Sequence, residues 1–151
     1  LSVIKSVIRS NKNRSNILLK KIYEKLKNKV KNKKITFLGV TFKANTDDMR
    51  DSSSLLMIPA LSKKGATIKY YDPTGHKKEF KNIKNVYFEE SIKKSIKDSD
   101  LIIIHTEWND FKSINFKNLI KGKKPIIYDM RNIYSNFKIN SQGFKYFSVG
   151  K

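Results

Sequence analysis

Between residues 34 and 54 the chain changes character twice. Ile35, Phe37, Leu38 and Val40 form a short apolar run around Gly39. A polar stretch carrying Lys43, Asp47, Asp48 and Arg50 follows, and the apolar character returns at Leu55-Leu56-Met57-Ile58. Asp51 and Ser52, residue types that cap helices, stand just ahead of that return. This pattern predicts a buried strand over about 34–40, a charged loop, and a helix over about 52–64. Pro59 lacks a donor and is expected to kink that helix, and Gly65 to end it. Upstream, Ile4, Val7 and Ile8, then Leu18, Ile22 and Leu26, recur at helical spacing. The polar interval 9–16 breaks their face, so residues 1–30 read as one long helix or two. Downstream, strands at Thr67–Tyr71, Asn85–Phe88, Leu101–His105, Ile126–Tyr128 and Phe144–Val149 alternate with helical segments. Those segments lie at about 89–99, with Ile92 and Ile96 inward, at Thr106–Phe111 and at Phe116–Ile120. Residues 74–84 read as polar loop after an Asp72-Pro73 turn. The alternation predicts an α/β fold with a doubly wound, mainly parallel sheet. A connecting helix (1–32) precedes the sheet domain (33–151).

Composition narrows the classes. No run of about 18 apolar residues and no basic leader with an apolar stretch is present, so neither a membrane anchor nor a signal peptide is expected. The chain opens on Leu1 rather than Met, as expected of a piece of a longer protein. Cysteine is absent, which removes disulfides, thiolate metal sites and a Cys nucleophile, and fits a reducing, cytoplasmic setting. The net charge of +20 admits two readings. One is a solvated surface in a chain drifting toward Lys, Asn and Ile; the other is a nucleic-acid footprint, helped by Tyr70, Tyr71 and Tyr87. Only four of the 33 basic residues are Arg: Arg9, Arg14, Arg50 and Arg131. They are the informative cations.

Loops at the carboxyl ends of strands build ligand sites in open α/β sheets. Phe42 and Lys43 start such a loop, an aromatic that packs on a base or sugar beside a cation that neutralises a phosphate, or else a core Phe beside a solvated Lys. Thr46, Asp47 and Asp48 read as turn residues, with Asp48 orienting Lys43 or Arg50; adjacent carboxylates face apart, so no metal is expected. Arg50 offers a planar fork suited to phosphate. Ser52, with Ser53 and Ser54, reads as a helix cap, with phosphate binding there the lesser alternative. Arg131 lies on the same sheet edge; its bland alternative is a surface pair with Asp129, worth little. Trp108 either covers the ligand or packs in the core. His105 reads as structural, and nothing suggests a role for His76. After Gly39 the next glycine is Gly65, so there is no Gly-x-Gly-x-x-Gly dinucleotide fingerprint.

Gly39-Val40-Thr41-Phe42-Lys43 with Thr46-Asp47-Asp48-Met49-Arg50 and Ser52 resembles the signature of the C-terminal domain of the UDP-glucose/GDP-mannose 6-dehydrogenase family, of the UDP-glucose type. Thr106-Glu107-Trp108 ahead of Phe111, and Asp129-x-Arg131, match the same family. The resemblance implies a Rossmann-like UDP-sugar-binding domain in which Phe42, Lys43 and Arg131 hold the substrate. Arg50 would reach the pyrophosphate of an NAD bound mainly by a domain outside this chain. Thr46, Asp47, Asp48, Ser52, Trp108 and Asp129 would play supporting parts. The N-terminal helix would be the second half of the family's long connecting helix and contribute to a homodimer. The family oxidises the sugar C6 alcohol twice, through NAD and an essential Cys. This chain has no Cys, so alone it is expected to bind the UDP half and be inactive. Ser53 replaces the family's usual Pro. GDP-mannose and UDP-N-acetylhexosamine members share the loop, and Thr46 with Asp47-Asp48 leans toward the UDP-glucose or GDP-mannose branches. No membrane and no specific nucleic-acid partner is expected; a basic nucleic-acid-binding module is the alternative of a different class.

Overall fold

The computed structural model describes residues 2–150; the expected helix start at Leu1 and the domain end at Lys151 lie outside them. Six strands form one sheet: β1 (Lys34–Leu38), β2 (Thr67–Tyr71), β3 (Val86–Phe88), β4 (Leu101–Ile104), β5 (Ile126–Asp129) and β6 (Tyr146–Ser148). Their order is β3-β2-β1-β4-β5-β6, with every neighbouring pair parallel. The chain thus winds outward from β1 to one edge, returns to β4 beside it, and winds to the other edge. The crevice between β1 and β4, at their carboxyl ends, is the switch point where such sheets take ligands.

Strand alternation sorts the core into two layers. Ile35, Phe37, Leu101 and Ile103 face one side with Met57, Ile58 and Leu61. Leu38, Ile102 and Ile104 face the other with Phe111, Phe116 and Tyr134. β4 is buried at all four positions, which is why it reads as an unbroken apolar run rather than an alternating one. Six helices cover the sheet: α1 (Ser2–Lys25), α2 (Ser54–Lys63), α3 (Ile92–Ile96), α4 (Asn109–Lys112), α5 (Phe116–Leu119) and α6 (Asn136–Asn140).

α1 is one continuous helix. Its polar interval, exposed except at Ser15, does not break it, and Ser15 Oγ donates back to the Asn11 carbonyl at 3.0 Å. Leu18, Leu19 and Ile22 join the first core layer. Val3, Ile4, Val7 and Ile8, at 54–73% exposure, stand clear of it. α2 ends as expected: Gly65 takes φ +95° and Ala66 N–H donates to the Leu61 carbonyl at 3.2 Å, closing the helix with a left-handed cap.

Several elements differ from the sequence reading. α2 begins at Ser54, not Ser52. The segment 74–84 contains a 3₁₀ turn, Lys78–Phe80, because Phe80 is buried edge-on against Tyr70 at 5.3 Å. The helix expected over 89–99 is only α3, capped by Ser91, whose hydroxyl accepts from Lys94 N–H at 3.1 Å; Lys97 is already extended and Asp98 takes φ +60°. α6 was not foreseen, since Ile139 is its one buried residue and leaves no periodic signal.

Gly39 governs the crevice. It sits at φ +77°, and a Cβ there would lie 2.5 Å from Thr106 Cβ at the end of β4. Gly39→Ala is expected to lower stability by about 3 kcal/mol, from left-handed strain plus overpacking, read as a lower urea midpoint. An unchanged midpoint would show that the β1–β4 crevice can widen at no cost.

Candidate functional site

The loop leaving β1 starts from a peptide held on both sides. Val40 N–H donates to Asp72 Oδ2 at 2.8 Å, and its carbonyl accepts from Ser52 Oγ and Ser54 Oγ, each at 2.6 Å. Asp72 also closes the turn after β2, accepting from Thr74 N–H at 2.9 Å. Ser52 therefore ties the start of α2 to the end of β1, its Oγ also accepting from Ser54 N–H at 3.4 Å; Ser53 directly precedes α2, with no side-chain cap. Within the loop, Phe42 N–H donates to the Asp48 carbonyl at 3.0 Å and Asp48 N–H to Thr46 Oγ1 at 3.1 Å. Asp48 receives Arg50 through backbone N–H, Nε and Nη2, all at 3.0 Å. These bonds hold the Asp48 carboxyl below its usual range and raise Arg50. Arg50 is 88% exposed, so the pair is a surface one, worth little to stability.

Arg131 is anchored differently. Its Nε donates to the His105 carbonyl at 2.8 Å and its Nη2 to the Phe42 carbonyl at 3.2 Å, so the guanidinium bridges the ends of β4 and β1. It does not pair with Asp129. That carboxylate is fully buried and accepts from Arg131 N–H at 2.9 Å, Tyr134 N–H at 3.0 Å and Tyr146 OH at 2.7 Å. Burial, then the Asp129 charge, raises Tyr134; burial and the bond to Asp129 raise Tyr146, so both stay phenolic. Arg131 is itself lowered by burial, with Glu107 opposing and the Arg14 charge adding to the shift.

His105 is buried with a fixed tautomer. Thr106 Oγ1 donates its one hydrogen to the Thr41 carbonyl at 3.0 Å, so His105 Nδ1–H donates to Thr106 Oγ1 at 3.0 Å. Nε2 is left to accept from Ser53 Oγ at 2.8 Å. Burial, helped by Arg131 and opposed by the Gly39 backbone, lowers its pKa to about 3. A base that weak does not activate Ser53 at neutral pH.

These elements enclose a cavity of about 360 Å³, lined by Phe42, Lys43, Asp51, Ser53, His105 and Arg131, with Asn11, Arg14 and Ser15 of α1 as the remaining wall. The structure brings Phe42, Lys43 and Arg131 together as expected. Arg50 and Asp47 stay outside, on the exposed part of the loop, and Thr46, Asp48, Ser52 and Asp129 shape the backbone around it. Trp108 lies in the second core layer and does not line the cavity. The α1 residues were missed at the sequence level, because helical spacing marks the buried face and says nothing of which flanking turn reaches the sheet edge. The scarcity of Arg is the one signal that could have singled out Arg14. Among the described residues no group of three metal-ligating side chains occurs, and no helix is long and apolar enough to cross a membrane.

Residues 36–136 match the model of the UDP-glucose/GDP-mannose dehydrogenase family, UDP binding domain. The chain is 38% identical over 151 residues to a UDP-glucose 6-dehydrogenase of Rickettsia conorii, covering 98% of this chain and 35% of that protein. With a UDP-glucose 6-dehydrogenase of Bacillus subtilis it shares 35% identity over 154 residues, covering 99% and 34%. It thus spans about a third of the length of the curated relatives it matches. A UDP-glucose dehydrogenase of Pyrobaculum islandicum has the same fold, at TM-score 0.74 and 21% identity over 97% of this chain and 32% of that one. A UDP-D-ManNAc dehydrogenase of Pyrococcus horikoshii aligns at TM-score 0.65 and 27% identity, over 91% and 30%.

The buried imidazole gives the site a pH signature. Folded, His105 stays neutral down to about pH 3; its ordinary value is 6.5. The unfolded chain therefore binds the extra proton between these values, and His105 withdraws stability as pH falls through that window, by at most about 1.4 kcal/mol per pH unit. In urea unfolding at pH 7, 5.5 and 4, the stability advantage of the native chain over His105→Gln is expected to shrink stepwise. A pH-independent difference would mean that the folded chain accepts the proton.

Proposed function

The chain belongs to the UDP-glucose/GDP-mannose dehydrogenase family, through its UDP binding domain, and on that premise we propose that the β1–β4 crevice holds a UDP-sugar. The observation that carries this reading is the convergence of Phe42, Lys43 and Arg131 on one cavity. Phe42 is 45% exposed, an unusual position for an apolar ring and a fitting one for stacking on the base or sugar. Arg131 has spent two of its five N–H donors on backbone carbonyls; three remain for phosphate oxygens, in a fork whose aim is already set. Lys43 supplies a mobile point charge opposite.

The whole protein, of which this chain corresponds to about a third, we propose to be an NAD-dependent UDP-glucose 6-dehydrogenase, oxidising C6 of the glucose to the carboxylate. The residues present do not make an NAD site of their own. The turn after β1 has no glycine fingerprint, the Val40 N–H that would face a phosphate is taken by Asp72, and Gly39 is closed off by Thr106. NAD is therefore assigned to the remainder of the enzyme, with Arg50, exposed and braced by Asp48, as the one arm this chain extends toward it. The thiol of the reaction is assigned to the remainder as well, so this chain alone is expected to bind without oxidising. The apolar face of Val3, Ile4, Val7 and Ile8 supports burial of α1 in the whole enzyme, in a cytoplasmic homodimer.

An amide NMR titration with UDP, GDP and a short oligonucleotide near physiological salt tests the reading. UDP is expected to shift Phe42, Lys43 and Arg131, GDP to do so weakly, and Arg131→Ala to reduce the UDP response at least tenfold. A broad Lys-face response to the oligonucleotide, with these three unmoved by UDP, would assign the domain to nucleic-acid binding instead.

A further inference from the structure

Arg14 of α1 lies outside every motif that carries the UDP-sugar reading, yet it stands at the centre of the cavity system. It lines the 360 Å³ cavity with Lys43 and Arg131. It also lines a narrow recess of about 40 Å³ beside Ser53, His105 and Arg131. Its place follows from how α1 meets the sheet. Ser15 is the first buried residue of the helix, and Leu18 and Leu19 fix the next turn into the core, so Arg14 projects from the first turn that touches the body.

Two guanidinium groups side by side are a costly arrangement, and the Arg14 charge is close enough to depress Arg131. The Glu107 charge offsets part of it, without forming an ion pair. Among the described residues the ion pairs are Arg50–Asp48 and Lys123–Asp100, and Asp51, though it lines the cavity, pairs with neither Arg. An anion delivered from outside relieves it directly. A single carboxylate offers too few oxygens to meet Lys43, Arg14 and Arg131 from three sides; a diphosphate suits all three.

We propose that Arg14 is a third cationic arm of the site, contributed by α1, that grips the diphosphate of the nucleotide held by Lys43 and Arg131. The proposal rests on the UDP-sugar reading of the cavity. It makes α1 a wall of the binding site as well as a connector, and it makes affinity depend on phosphate charge more than the loop residues alone would.

The test measures dissociation constants of UDP and of uridine, by NMR shift titration at one salt concentration. It uses the native 151-residue chain, Arg14→Gln, Arg14→Lys and Lys43→Ala, each checked for helix content by circular dichroism. Arg14 is exposed on α1, so all variants are expected to fold. Loss of one charge-assisted contact is expected to weaken UDP about tenfold in Arg14→Gln. Uridine should stay within about twofold, and Arg14→Lys should recover part of the loss. If Arg14→Gln binds UDP as the native chain does while Lys43→Ala does not, the role of Arg14 is overturned and the UDP-sugar site stands. Equal weakening of UDP and uridine would also overturn it, since Arg14 would then act through the shape of the site. If the native chain binds UDP no better than uridine, the reading of the cavity falls and this proposal with it.

Discussion

The peptide of Val40 is the point on which the site hangs. Its N–H is tied to Asp72 at the end of β2 and its carbonyl to Ser52 and Ser54 at the start of α2. A net hydrogen bond is worth about 1 kcal/mol, but stripping one partner from a buried group costs about 1–3. The clamp therefore resists change out of proportion to its size. Both ends of the loop 41–51 are set by it. The Phe42 carbonyl in turn is one of the two acceptors that aim Arg131, so the geometry of the cation depends on a clamp two residues upstream.

The two arginines of the loops, Arg50 and Arg131, are treated in opposite ways. Arg50 is braced by Asp48 in water, where the pair keeps the side chain extended and does little else. Arg131 is braced by two carbonyls at the sheet edge, with no carboxylate bonded to its guanidinium and only the Glu107 charge opposing it. The carboxylate that sequence proximity offered it, Asp129, is spent on Arg131 N–H, Tyr134 and Tyr146 beneath the site. Dipoles orient the guanidinium without cancelling it. That is the condition under which a fixed cation retains its pull on an anionic ligand.

Much of this was legible in the sequence. The apolar runs Ile35–Val40 and Leu101–Ile104 announced central parallel strands, and the alternation with helices fixed the sheet class. Loop position and the motif singled out Phe42, Lys43 and Arg131, which line one cavity. What was not legible has physical causes. Ser52 looked like a helix cap because caps and strand-tying hydroxyls are the same residue types, and only the position of Val40 separates them. Trp108 was ambiguous because an apolar ring at a strand end packs inward or covers a ligand equally well until its neighbours are known. The α1 wall was hidden because Asn11 and Arg14 lie in a polar interval that read as a break. Short helices such as α6, held by one buried side chain, leave no period to detect.

The tautomer of His105 has a consequence for what the cavity accepts. With Nδ1–H committed to Thr106, the Ser53 hydroxyl proton is committed to Nε2, and only the lone pairs of that oxygen face the open space. A group meeting Ser53 must bring its own hydrogen, as a ribose or hexose hydroxyl does and a phosphate oxygen does not. The cavity thereby sets one acceptor, the Ser53 oxygen, beside the donors of Arg14 and Arg131. A ligand carrying both phosphate and hydroxyl groups would thus meet donors at the cations and an acceptor at Ser53.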